Sequence, residues 1–118
     1  MSHIGIGIIG GGYMGKAHAV AFASVASVFE TALRPRLVSV CAKTTASAEA
    51  YSKAYGFEKS TCDWRDVVAD PEVEAIVIAS PQATHHDIAL AAFAAGKPVL
   101  CEKPLGISLE QSRSMVAA

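Results

Sequence analysis

The chain has 118 residues, of which 52% are hydrophobic and 18% charged, and its formal net charge at pH 7 is −1. This length predicts one domain, residues 1–118, large enough to bury a core of its own. The ten lysines and arginines are scattered along the chain, so a nucleic-acid partner held by a basic surface is not expected.

The apolar runs, the N-terminal residues and the cysteines of the sequence predict the cellular compartment of the protein. No apolar run reaches the roughly 18 residues of a membrane span, and the chain enters a strand pattern directly after Met1-Ser2-His3, without a signal peptide. The three cysteines are odd in number and lack the spacing of a disulfide framework or zinc site: Cys41, Cys62 and Cys101. We therefore expect a cytoplasmic protein with reduced, mostly buried thiols and no metal.

The first half of the chain alternates apolar runs with helical patterns. Residues 4–9 predict a buried strand ended by glycines, and the alanine-rich residues 14–29 predict a helix. A second strand is expected at residues 37–41, after Arg34-Pro35-Arg36. The connection at residues 29–36 is long for such a fold, and it could extend the first helix or form a surface loop.

The second half repeats the alternation. Helices are expected at residues 46–55, closed by Gly56, and at 63–69, capped by Asp63. A further helix is expected to open at a capping signal formed by Thr84 and Asp87, to continue through residues 88–95 and to stop at Gly96. Ser108 and Gln111 form a capping box that opens a last helix. The strands between these helices are predicted at residues 60–62, 75–79 and 99–101.

Strands that alternate with helices predict βαβ units and a parallel sheet. Right-handed crossovers leave few topologies for such a chain, and the usual one is the doubly wound sheet of the Rossmann fold. The expected class is therefore α/β, in a single domain.

A glycine-rich turn joins the first strand to the first helix. Gly10 would permit the tight turn, Gly12 would let a pyrophosphate approach the backbone, and Gly15 would let the helix pack close to the strand. Backbone N–H groups around Tyr13 and Met14 would face the anion at the helix N-terminus. The spacing and context predict a dinucleotide site, although a turn that merely needs glycines would look similar. The Tyr13 ring could flank the cofactor or simply pack.

The end of the second strand lacks the acid that usually binds the ribose 2′-hydroxyl of NAD. Ala42 takes its place, followed by Lys43 and Thr44, with further hydroxyl donors at Thr45 and Ser47. These donors favour NADP over NAD, because charge-assisted hydrogen bonds to a 2′-phosphate contribute on the order of 1.5–3 kcal/mol each. The alternative is a solvated loop and helix cap.

Polar residues follow the fourth strand, at the edge where parallel sheets bind ligands. The loop Ser80-Pro81-Gln82 and the nearby His85 are candidates for cofactor or substrate contact, with Gln82 and His85 as the polar groups. We expect His86 on the exposed side of the helix start. His18, in the first helix, is expected to be a structural histidine on a buried face.

Glu102-Lys103-Pro104 follows the fifth strand. Lys103 could polarise a hydroxyl or carbonyl and share in proton transfer, while Glu102 could bond a ribose hydroxyl or orient Lys103. A surface ion pair beside a turn-forming proline would carry the same residues.

Three segments together resemble the glucose-fructose oxidoreductase / inositol dehydrogenase / MocA family. They are Gly10-Gly11-Gly12-Tyr13-Met14-Gly15-Lys16-Ala17-His18, Ser80-Pro81 with His85, and Gly96-Lys97-Pro98-Val99-Leu100-Cys101-Glu102-Lys103-Pro104-Leu105. The resemblance covers essentially the whole chain, and the Glu-Lys-Pro segment is its most specific part. It implies the N-terminal Rossmann half of a two-domain NAD(P)-dependent enzyme that acts on sugars, cyclitols or related polyols, and that is a homo-oligomer at full length.

The resemblance also implies residue roles. Lys103 would be catalytic and near the nicotinamide ribose, and His85 would lie in the loop lining the nicotinamide site. The Lys103–Pro104 peptide would be cis, as this peptide often is in the family. Two departures stand out: the acid after the second strand is absent, and so is the family's C-terminal domain, so the chain looks like a catalytically incomplete fragment. The alternative function is a nucleotide-binding regulatory or redox-sensing module without its own catalysis.

Overall fold

The computed structural model describes residues 2–118. Five strands form one sheet, and their bounds are β1 Ser2–Ile9, β2 Leu33–Cys41, β3 Lys59–Thr61, β4 Ala75–Ile78 and β5 Val99–Cys101. The helices are α1 Tyr13–Val28, α2 Thr45–Tyr55, α3 Trp64–Ala69, α4 His85–Ala94 and α5 Leu109–Ala117, with a 3₁₀ turn at Gln82–Thr84.

The strand order is β3-β2-β1-β4-β5, and every neighbouring pair is parallel. This is the doubly wound order predicted from the sequence, and the fold class is confirmed. The order reverses between β1 and β4, so the crevice that such sheets use for ligands opens at the carboxyl ends of these two strands.

The sheet is buried on both faces, which explains why its strands read as continuous apolar runs. Because side chains alternate along a strand, neighbouring residues enter different cores. One core packs β-strand residues against α1 and α2 and includes Ile8, Val40 and Tyr51. The other packs them against α3, α4 and α5 and includes Ile78, Ile88 and Met115.

The second strand differs from its prediction. It begins at Leu33, because its first residues pair with Ser2–Gly5 of β1, and the segment around Pro35 is therefore neither helix nor loop. A proline fits here because β3 pairs only with Ser39–Cys41, so that β2 has one partner strand at Pro35.

Most helix-boundary signals are confirmed. The Asp63 and Ser108 side chains accept hydrogen bonds from backbone N–H groups of the helices they open, and Gly56 ends α2 with a φ of 80°. The second half of the Ser108 capping box does not form, because the Gln111 side chain accepts from the Ile107 N–H rather than from that of Ser108. The Thr84 signal is wrong. Its hydroxyl donates to the Pro81 carbonyl at 2.7 Å, and α4 begins at His85 without a side-chain cap.

The cysteines are free thiols in three environments: Cys41 is buried, Cys101 half-buried and Cys62 exposed. Burial, as the largest influence, raises the pKa of Cys41 to about 11. Within residues 2–118, no group of three or more potential ligand side chains is placed to hold a metal ion. None of the helices described combines the length and apolar character needed to cross a membrane.

Candidate functional site

The glycine turn brings β1, β2, β4 and α1 into close contact. Gly10 has a φ of 125°, and its N–H donates to the Cys41 carbonyl at 2.9 Å. A Cβ at Gly10 would collide with the backbone of Ala79, and one at Gly15 would collide with the Gly10 carbonyl. A Cβ at Gly12 would meet nothing within 4 Å. Only Gly12 is therefore open to a ligand, while the other two glycines allow backbone to pack on backbone.

The N-terminus of α1 emerges from this turn without a side-chain cap and without an acidic residue in its first turn. Its first N–H groups can therefore bind an anion. Tyr13 is 85% exposed, so it does not pack in the core. Met14 is also exposed at the surface of α1.

A cleft of about 580 Å³ lies on the β2 side of the turn. It is lined by Gly11, Gly12, Lys16, Ala42, Lys43, Ser47, Ala50, Tyr51, Ala54 and Tyr55. Ala42 and Lys43 were predicted site residues, and Lys16 was not. These lining residues include two lysines and no carboxylate, so the cleft carries a positive charge.

Thr44 has a local role. Its hydroxyl accepts from the Ser47 N–H at 3.1 Å and lies 2.8 Å from the Ser47 hydroxyl, while the Thr44 N–H donates to that hydroxyl. This reciprocal capping box opens α2. Thr44 is outside the cleft lining, so the structure places it as a helix cap rather than as a free donor.

Tyr51 was not predicted to belong to the site. Its ring lies against Tyr55, with centroids 5.0 Å apart, and burial followed by the neighbouring Tyr55 raises the pKa of Tyr51 to about 12. Its buried hydroxyl has no hydrogen-bonding partner within residues 2–118, and a Cβ at Gly15 would lie 3.1 Å from it. The orphaned hydroxyl beside the glycine turn, the uncapped helix and the open face of Gly12 fit a bound dinucleotide.

A second cleft, of about 350 Å³, lies on the β4–β5 side. It is lined by Met14, Ala79, Ser80, Gln82, His85, Glu102, Lys103 and Pro104. The fold thus brings together the glycine turn, the loop after β4 and the Glu-Lys-Pro segment, as the sequence predicted. Pro81 does not line this cleft; it is exposed, and its carbonyl accepts from the Thr84 N–H at 2.9 Å.

Gln82 and His85 direct their polar atoms at backbone. The Gln82 amide donates to the Gly106 carbonyl at 2.8 Å. His85 is 2% exposed, with Nδ1 2.9 Å from the Pro104 carbonyl oxygen and Nε2 2.8 Å from that of Ser80. Both side chains therefore support the two loops that form the cleft. His86 is half-buried, with Nε2 3.2 Å from the Ser114 hydroxyl, rather than fully exposed.

Glu102 continues the sheet and pairs with an unpredicted partner. Its N–H donates to the Ile78 carbonyl at 2.9 Å. Its carboxylate lies 2.7 Å from Nε2 of His18, with the two side chains only 20% and 19% exposed. The hydrogen bond from His18, and secondarily the charges of His18 and Lys103, hold the pKa of Glu102 below its usual range despite partial burial.

Lys103 itself is exposed, and the Lys103–Pro104 peptide is cis. Among residues 2–118, its ammonium takes part in no ion pair. An unpaired amine on a loop fixed to the sheet is available for proton transfer in the cleft.

Several known proteins are similar to this chain in sequence and in fold. Levoglucosan dehydrogenase of Pseudarthrobacter phenanthrenivorans is 43% identical over 120 residues, which cover 100% of this chain and 30% of the relative. Inositol 2-dehydrogenase of Rhizobium meliloti is 38% identical over 108 residues, 92% of this chain and 30% of the relative. The chain therefore spans less than a third of the length of these relatives.

A solved structure of levoglucosan dehydrogenase in complex with NADH superposes with a TM-score of 0.95 at 38% identity, over 98% of this chain and 32% of that one. The family model described as an oxidoreductase family with an NAD-binding Rossmann fold matches residues 4–118. The chain thus belongs to this family, Gfo/Idh/MocA, and is an NAD-binding domain of it.

Proposed function

We propose that this domain works in a longer protein that transfers hydride between a nicotinamide cofactor and a sugar, cyclitol or related polyol. The observation that carries the proposal is the unpaired Lys103 amine in the same cleft as Met14 of the glycine turn. The relatives named levoglucosan dehydrogenase and inositol 2-dehydrogenase support the substrate class.

The residues of the chain divide the work. The backbone around Gly12 and the α1 N-terminus bind the pyrophosphate, and the loops held by Gln82 and His85 shape the second cleft. Lys103 exchanges a proton with the substrate oxygen, as an acid or base in either direction of the reaction. The nicotinamide, when bound, supplies or accepts the hydride.

The cofactor is proposed to be NADP in preference to NAD. The support is Ala42 in the usual position of the acid, together with Lys16 and Lys43 in a cleft lined by no carboxylate. A 2′-phosphate there would gain charge-assisted hydrogen bonds, and one good contact corresponds to about tenfold or more in affinity. The similar levoglucosan dehydrogenase structure holds NADH, so direct comparison of the two cofactors is the decisive measurement.

Titration of this chain with NADPH and NADH, followed by calorimetry, tests the preference. We expect the wild-type chain to bind NADPH more tightly than NADH. Ala42→Asp should reverse this preference, and Lys43→Glu should make the two affinities equal. The Lys43 side chain is exposed, so its replacement should not disturb the fold. Lys53→Glu, on α2 outside the cleft lining, is the matched control and should leave the ratio of affinities unchanged. A wild-type preference for NADH would overturn this part of the proposal.

Catalysis is tested in the longer protein by Lys103→Ala. We expect kcat for polyol oxidation to fall by about 10²–10⁴, the range for loss of a positioned acid or base. Near-normal turnover would favour the alternative, a nucleotide-binding regulatory or redox-sensing module, because binding alone does not require the Lys103 amine.

A further inference from the structure

The His18–Glu102 pair joins two parts of the proposed site that are 84 residues apart in the chain. His18 lies on α1, the helix that begins at the glycine turn, and Glu102 immediately precedes Lys103. Their 2.7 Å contact is mostly shielded from solvent, where a charge-assisted hydrogen bond is stronger than on the open surface.

Two further contacts hold the loop beyond Lys103. Gln82 donates to the Gly106 carbonyl, and Nδ1 of His85 faces the Pro104 carbonyl. Lys103 is therefore bracketed: on one side its neighbour Glu102 is held through a side chain by His18, and on the other Pro104 is held through its backbone by His85.

The position of the Glu102 carboxylate decides what the Lys103 ammonium can do. The two residues are adjacent and oppositely charged, yet Glu102 forms its ion pair with His18 rather than with Lys103. If His18 were removed, the carboxylate would lose this partner, and Lys103 is the other cation whose charge lowers the pKa of Glu102. An ion pair between Glu102 and Lys103 would stabilise the charged amine and make it a poorer proton acceptor.

Resting on the proposed function, we infer that His18 is a positioning residue that holds the Glu102 carboxylate away from Lys103 and so keeps the amine free in the cleft. His18 touches neither substrate nor cofactor in this role. The contact joins α1, which begins at the glycine turn, to the segment that carries Lys103.

The test measures the reactivity of the Lys103 amine in this chain without any cofactor. Reductive methylation is followed by mass spectrometry at Lys103, with the exposed Lys53 as the internal reference. In His18→Leu, we expect the relative rate at Lys103 to fall roughly two- to fivefold, the size of one partly exposed ion pair. His18→Gln, whose amide can still donate to Glu102, should retain most of the wild-type rate.

The double variant His18→Leu/Glu102→Gln should restore the Lys103 rate, because it removes the carboxylate that would capture the amine. His86→Leu is the matched control: His86 is half-buried and bonded to Ser114, away from Glu102, and the rate at Lys103 should not change. If His18→Leu does not fold, His18→Asn replaces it, since its shorter amide also loses the contact.

An unchanged Lys103 rate in folded His18→Leu or His18→Asn would overturn the inference, as would a slow rate that the double variant fails to restore. Both outcomes are independent of cofactor binding, so the inference and the proposed function fail separately. If the wild-type chain bound neither NADPH nor NADH, the proposed function would be refuted and the His18 result would be unaffected.

Discussion

The three glycines of the turn act through different contacts. Gly10 combines a positive φ with backbone contact to Ala79, Gly15 contacts the Gly10 carbonyl, and Gly12 faces open space. Substitution at each position should therefore separate folding from ligand binding.

Gly10→Ala should lower the free energy of unfolding by more than Gly56→Ala. Both glycines have positive φ, which alone costs an alanine about 1–2 kcal/mol, but a Cβ at Gly56 meets nothing within 4 Å. Gly12→Val should leave stability nearly unchanged and abolish dinucleotide binding, because its side chain would project where the pyrophosphate must approach. Urea unfolding and calorimetry check both; unchanged affinity in Gly12→Val would contradict the cofactor site.

At the scale of elements, the loop from β2 to α2 contains one residue that builds the helix and one that faces the cleft. Thr44 caps α2 through the backbone of Ser47, whereas Lys43 lines the cleft. The sequence predicted cofactor contacts for both residues and left a solvated loop and helix cap as the alternative.

Thr44→Ala should lower the free energy of unfolding by about 1 kcal/mol, the usual effect of losing an N-cap side chain, and change NADPH affinity less than twofold. Lys43→Ala should lower the affinity for NADPH and leave the free energy of unfolding nearly unchanged. Thermal unfolding and NADPH titration of the two variants distinguish these roles. A large loss of NADPH affinity in Thr44→Ala would show that the Thr44 hydroxyl contacts the cofactor.

Acid stability should depend on the junction between α3 and β4. Burial raises the pKa of Asp70, but hydrogen bonds from the Lys59 ammonium and the Glu72 N–H outweigh it, and the pKa is lowered overall. A carboxyl whose pKa is lower folded than unfolded binds fewer protons in the native state. The contribution of Asp70 to the free energy of unfolding is therefore present above its unfolded pKa of about 3.9, and it is lost as the pH falls through its folded pKa.

Asp70→Asn should accordingly flatten the decline in unfolding free energy from about pH 5 to pH 3. Glu110→Gln, at an exposed position in the first turn of α5, is the control and should keep the wild-type slope. Equal slopes in wild type and Asp70→Asn would show that other carboxylates govern acid unfolding.

For the whole molecule, strand order determines where the chemistry lies. The reversal between β1 and β4 sets one cleft on the β2 side of the glycine turn and the other on the β5 side. A single extended ligand can therefore follow the carboxyl edge of the sheet, from Lys43 to Lys103.

This chain by itself should bind a nicotinamide dinucleotide weakly and show no turnover with sugars or polyols. Both clefts are open to solvent, and the chain spans about 30% of the length of the relatives named as dehydrogenases. Absorbance of the reduced nicotinamide, recorded with a panel of polyols, measures turnover. Appreciable oxidation by the chain alone would mean that it holds a complete substrate site.

The sequence by itself determined features that depend on near neighbours in the chain. Alternating apolar runs established the parallel sheet, and Asp63, Ser108 and Gly56 marked helix ends, because capping bonds and left-handed φ values are set within a few residues. The glycine spacing likewise predicted the turn at Gly10–Gly15.

Only the tertiary structure decided which distant groups meet. Strand order places His18 on Glu102 and turns His85 toward the Pro104 carbonyl, and pairing with β1 extends β2 back through Pro35. No local pattern encodes these contacts, since each requires two segments far apart in the chain to be brought to one edge of the sheet. Residue types therefore identified the candidate chemistry, while packing determined that Lys103 is left unpaired and that His18 holds its neighbour.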